Sequence, residues 1–115
     1  MSAATMTMRP LILAAVGAAV LLQPVKADPA AEVRVTYSNG QFEPGEVNVP
    51  VDKPVVIRVK NMDAKALEFE STALRVEKVV AAKSEAVVNV RALKPGRYEF
   101  YDDFNAKAHG ALVVQ

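Results

Sequence analysis

From Glu32 to the C-terminus, apolar and polar side chains alternate in short runs separated by turn residues, and this period of two constrains the fold more than anything else in the chain. Val33-Arg34-Val35-Thr36-Tyr37 is the clearest case. Successive side chains of a strand point to opposite faces, so such a run offers one apolar face to a core and one polar face to water. Comparable runs cover 47–51, 55–59, 67–69, 74–80, 87–90, 98–101 and 111–114, which makes eight expected strands. Ser38-Asn39-Gly40, Pro44-Gly45, Asp52-Lys53-Pro54, Asn61-Met62-Asp63 and Lys94-Pro95-Gly96 supply turns between them. Evenly spaced strands without a helical period predict an all-β antiparallel sandwich or barrel. Its expected core is Val33, Val35, Phe42, Val47, Val49, Val55, Ile57, Val59, Phe69, Val88, Val90, Tyr98, Phe100, Leu112 and Val114, mostly β-branched as a pleated interior favours.

The N-terminus follows other rules. Arg9 precedes an apolar run from Leu11 to Leu22, and Val25-Lys26-Ala27 places small residues where a signal peptidase reads, so cleavage is expected after Ala27. The run is about a dozen residues, short of the roughly 20 that span a bilayer as a helix. The expected organisation is a leader over 1–27, a flexible arm over 28–31 and one domain over 32–115. Without Arg9 and Lys26 the formal charge of +1 becomes −1, from 12 basic and 13 acidic residues. A nearly neutral domain gives no electrostatic reason to bind nucleic acid or a membrane surface. The chain has no cysteine, so an exported domain must be held by core burial alone. Pro95-Gly96-Arg97-Tyr98 is expected to form a tyrosine corner, with the Tyr98 hydroxyl bonding back to nearby backbone.

Phe42-x-Pro44 before a strand, the run from Pro54 to Asn61, and Pro95 to Tyr101 ahead of Gly110-Ala111-Leu112-Val113-Val114 together resemble the cupredoxin superfamily. The resemblance implies a Greek-key β-sandwich and covers nearly all of the exported part. Within the superfamily, Ala66-Leu67-Glu68-Phe69-Glu70-Ser71 and Phe100-Tyr101-Asp102-Asp103-Phe104-Asn105 look most like the cysteine-free domains of periplasmic iron-uptake systems of the EfeO and Ftr types. That likeness implies a periplasmic protein that handles iron for an inner-membrane iron permease or a companion periplasmic iron-binding protein, as a monomer or homodimer. In blue-copper members a histidine would stand near Leu67, and cysteine, histidine and methionine near Asp102, Asn105 and Ala108. None of these ligands is present, so a blue type-1 copper site cannot form.

Oxygen donors stand where sulfur would. Glu68 and Glu70 share one strand face because they are two residues apart. If the fold matches the family, the loop carrying Asp102 and Asp103 lies near the end of that strand, and His109 sits where the loop returns. Adjacent residues of an extended strand face opposite ways, so only one of Asp102 and Asp103 joins a shared site unless the loop curls. A site drawn from Glu68, Glu70, Asp102, Asp103 and His109 suits Fe(II), Fe(III) or Mn(II) and, less selectively, Zn(II) or Cu(II). The alternative for the glutamates is surface pairing with Lys65, Lys78 or Arg58, and for the aspartates a turn. No Ser-His-Asp order, cysteine nucleophile or Gly-rich phosphate cradle points to an enzyme, and ferroxidase activity rests on family likeness alone. Iron binding is the leading expectation. A metal-free interaction module of an exported complex and a Cu(II) carrier are the alternatives.

Overall fold

The computed structural model describes residues 29–115 continuously, with Ala3, Ala4, Pro10 and Gly17 as isolated positions. Apart from those four positions, the expected leader lies outside the described residues. Nine strands follow: β1 Ala31–Ser38, β2 Gln41–Glu43, β3 Glu46–Val49, β4 Val55–Asn61, β5 Leu67–Ser71, β6 Val76–Val80, β7 Glu85–Val90, β8 Gly96–Asp102 and β9 Asn105–Val114. They form a four-stranded sheet, β2-β1-β4-β7, packed against a five-stranded sheet, β3-β9-β8-β5-β6. The all-β sandwich read from the alternation is therefore present. Two of its pairings, β1 with β4 and β3 with β9, run parallel, and the others are antiparallel. Among the described residues, no helix is long and apolar enough to cross a membrane.

The ninth strand is β2, absent from the expected set. It has three residues and only Phe42 is buried, too little for an alternating pattern to register. Asn39 and Gly40 both take positive φ, 53° and 68°, which suits the tight hairpin joining β1 to β2. A second difference concerns the expected loop before His109. Asp102 bonds the Phe104 amide two residues on at 2.9 Å, which closes a turn over Asp103-Phe104 and lets β9 begin at Asn105. His109 thus lies within a strand, opposite Tyr101.

The core fills as the alternation requires. Phe42, Phe69 and Phe100 interlock, with ring centroids 4.8–6.0 Å apart and Phe42 edge-on to the other two. All the expected core residues are buried except Val33 and Tyr98, which are partly buried and pack against the cluster. Tyr37, Leu67, Leu74, Val80, Leu93 and Ala108 complete it. The tyrosine corner forms as read: the Tyr98 hydroxyl donates to the Lys94 carbonyl at 2.9 Å.

Candidate metal centre

Strand parity decides where each expected ligand points. Leu67, Phe69 and Ser71 face the core, so Glu68 and Glu70 project from the outer face of the five-stranded sheet. Phe69 is registered with Asp102 and Glu70 with Tyr101, which turns Asp102 inward beside Phe69. Asp103, one residue on, emerges on the outer side, where its amide donates to the Glu68 carbonyl at 2.9 Å. One carboxylate oxygen each from Glu68, Glu70 and Asp103 lie within 4.8 Å of one another. Oxygens bound to one ion at about 2.0–2.6 Å must lie within roughly 3–5 Å of each other, so the spacing fits a single cation.

Two expected ligands do not join this group. Asp102 is 2% exposed and its carboxylate is engaged on the inner side of the sheet. Its Oδ1 accepts the amides of Glu68 and Phe104, each at 2.9 Å, and its Oδ2 accepts the Tyr37 hydroxyl at 2.7 Å. His109 is exposed on β9, with its ring 6.2 Å from that of Tyr101. Glu70, Tyr101 and His109 form one row across β5, β8 and β9. Strands lie about 4.8 Å apart, so the backbone at His109 is roughly 10 Å from that at Glu70 along that row.

A fourth carboxylate escaped the sequence reading. Glu77 on β6 is directly opposite Glu70, and it hydrogen-bonds Glu68. That bond is the main reason the Glu68 carboxyl is pushed up to about 7 from its ordinary 4.5, followed by desolvation and the charges of Glu77, Asp103 and Glu70. A raised value of this kind marks carboxylates too close together to be ionised at once. Alternating parity along Val76-Glu77-Lys78-Val79-Val80 is the signal that could have placed Glu77 on this face. Among the described residues the ion pairs are Arg58 with Glu32 and Glu85, Lys94 with Asp52, and Arg97 with Glu46 and Glu99. None involves Glu68, Glu70, Glu77 or Asp103, so the surface pairing of the glutamates with lysine or arginine does not form there.

The pole of the sandwich is built separately. Asp63 accepts the amides of Asn39 and Gly40 at 2.8 and 2.9 Å, tying the segment after β4 to the β1–β2 hairpin. These two bonds hold the Asp63 carboxyl below its usual range. Buried Asn61 donates to the carbonyls of Lys65, Val80 and Ala81 and accepts the Asp63 amide, which fixes the same segment from inside. Tyr37 lies beneath, its phenol pushed up by burial and then by its bond to Asp102. Leu67 and Ala108, where a copper relative would be expected to carry ligands, are buried apolar residues.

Comparison with known proteins agrees with this frame. Residues 11–114 match the profile of the family described as "Cupredoxin-like domain". An uncharacterized protein of Rickettsia prowazekii (strain Madrid E) is 34% identical over 88 residues, spanning 76% of this chain and 70% of that protein. Among solved structures, the metal-binding domain of the Streptococcus pneumoniae D39 Cu(I)-exporting P-type ATPase CopA superposes with a TM-score of 0.66 at 16% identity, covering 73% of this chain and 84% of that one. Auracyanin A, a blue copper protein of Chloroflexus aurantiacus, gives 0.64 at 15% identity, covering 76% of this chain and 100% of that one. At such identities the structural likeness speaks for the fold.

Proposed function

The chain belongs to the cupredoxin-like domain family, and we propose that it is an exported, thiol-free member that binds iron on the outer face of its five-stranded sheet and passes it to an iron-uptake permease. The carrying observation is the convergence of Glu68, Glu70 and Asp103 oxygens within 4.8 Å, with no basic partner among the described residues. A donor set of carboxylates suits hard and borderline divalent cations, Fe(II) and Mn(II) among them, and suits Cu(I) poorly because no sulfur is present. Glu77 stands ready as a further oxygen donor. The proton that Glu68 and Glu77 share is then displaced when the ion arrives, which relieves the crowding of like charges. Export to the periplasm is supported by the Arg9, Leu11 to Leu22 and Ala27 pattern. Iron as cargo and a permease or companion iron-binding protein as recipient are supported by the sequence likeness to EfeO-type and Ftr-type domains.

Anaerobic calorimetric titration with Fe(II), beside Mn(II), Zn(II) and Cu(II), tests the reading. Glu68→Gln/Glu70→Gln should weaken Fe(II) and Mn(II) binding at least tenfold while leaving the unfolding transition in place. Equal affinity in the double variant and the parent would overturn the site. No heat with any of the metals would favour the metal-free interaction module.

A further inference from the structure

Three loops and the start of β1 meet at the pole opposite Asp63: 50–54 between β3 and β4, 72–75 between β5 and β6, and 91–95 between β7 and β8. Hydrogen bonds stitch them into one surface. The Asp52 amide donates to the Leu93 carbonyl at 3.0 Å, and the Arg91 guanidinium donates to the carbonyls of Leu74 and Ala73 at 2.9 and 3.2 Å. The Tyr98 hydroxyl holds the Lys94 carbonyl, and the Ala31 amide donates to the Pro54 carbonyl at 2.9 Å, so the chain enters the domain beside Lys53.

The domain as a whole is nearly neutral, but this pole is not. Its three loops carry Lys53, Arg75, Arg91 and Lys94 against one acidic residue, Asp52, and all four basic residues are exposed. Asp52 pairs with Lys94 at 3.3 Å, while Lys53, Arg75 and Arg91 have no carboxylate partner among the described residues. At the other pole, the segments 39–40, 62–66, 81–84 and 103–104 balance Lys65 and Lys83 against Asp63 and Asp103. Segregation of this kind creates a local positive potential that a net charge near zero conceals.

We propose that this pole docks on an anionic bilayer surface, its three loops meeting the phosphate headgroups. The point of chain entry selects a bilayer as the occupant. The nine residues from Leu22 to Ala31 span at most about 30 Å when extended, so an apolar leader engaged in the bilayer brings this pole to the surface. Each Lys or Arg near an anionic leaflet strengthens binding about fivefold, an effect that fades beyond a Debye length of about 8 Å at physiological salt. Docked this way, the domain holds Glu68 and Asp103, at the far ends of β5 and β8, away from a surface of their own charge. The proposal does not depend on a metal at the outer face.

The test mixes the full chain with vesicles of phosphatidylglycerol and phosphatidylcholine in equal parts, beside vesicles of phosphatidylcholine alone. Lys53→Glu/Arg75→Glu reverses two charges and spares Arg91 and Lys94, which help to hold the loops together. It should bind the anionic vesicles at least about tenfold more weakly than the parent, whereas Lys65→Glu/Lys107→Glu, of the same net charge, should stay within about threefold. In the unmodified chain, bicelles of the same lipids doped with a gadolinium-chelating lipid should broaden the amide resonances of Lys53, Arg75 and Lys94 before those of Lys65 and Phe104, a readout that needs no variant to fold. Equal weakening in the two variants, no weakening in either, or earlier broadening at Lys65 and Phe104 would each overturn the proposal. So would polyglutamate binding the same loops more tightly than the vesicles do, since the partner would then be an acidic protein.

Discussion

The backbone amide of Glu68 donates to Asp102 Oδ1 at 2.9 Å, yet the two carboxylates lie on opposite sides of the five-stranded sheet. That bond locks β5 to the end of β8 and assigns the acidic side chains to different environments. Glu68 is left outside with Glu70 and Asp103, and Asp102 inside with Tyr37. One sequence neighbourhood therefore supplies two chemically different places.

Asp102→Ala is expected to be strongly destabilising. It removes the acceptor for the Tyr37 hydroxyl and for the Glu68 and Phe104 amides. Each buried donor left without a partner costs about 1–3 kcal/mol, so the total should be on the order of 3 kcal/mol in urea unfolding. A change of under about 0.5 kcal/mol would mean that water replaces Asp102 at no cost.

The Glu68–Glu77 contact predicts a pH dependence of stability. The Glu68 carboxyl is raised to about 7 from 4.5, so the folded chain holds this proton more tightly than the unfolded chain. Its contribution is fully present below about 4.5 and is lost as pH rises through about 7. Glu77→Gln removes the first cause of the shift. Relative to the variant, the parent should lose stability between those two pH values when unfolding is followed by denaturant, and parallel curves would contradict the assignment.

Gly110 has no room for a side chain. A Cβ built there would run into the Phe100 ring and lie 3.1 Å from the Gly45 carbonyl oxygen. Gly110→Ala must displace a core aromatic, and overpacking of this kind costs about 1–3 kcal/mol. A lowered melting temperature is expected, and an unchanged one would show that Phe100 moves freely.

Tyr98→Phe deletes one hydrogen bond, to the Lys94 carbonyl, and leaves the ring where it packs. The expected cost is about 1 kcal/mol in unfolding experiments, with metal affinity unchanged. Altered affinity would link this corner to the binding face.

The sandwich was legible because burial on one face imposes alternation, which shows in β1, β3, β4, β5, β7 and most of β8. β2 was not, with a single buried residue, Phe42. The shared face of Glu68 and Glu70 followed from their spacing, as did the rule that only one of Asp102 and Asp103 could join them. Parity with Phe100 selects Asp103, since Asp102 falls on the core side with Phe100. The partner that holds Asp102 was not legible, because Tyr37 lies 65 residues away and they meet only when the two sheets pack. His109 illustrates the converse: near the aspartates in sequence, it is carried away from the glutamates by the width of β8 between β5 and β9.

Anomalous scattering from crystals soaked in Mn(II) locates a bound ion itself. A peak is expected within bonding distance of the Glu68, Glu70 and Asp103 carboxylates on the outer face, absent from Glu68→Gln/Glu70→Gln crystals. A peak elsewhere with none at these carboxylates, or no peak with all three free of lattice contacts, would contradict it.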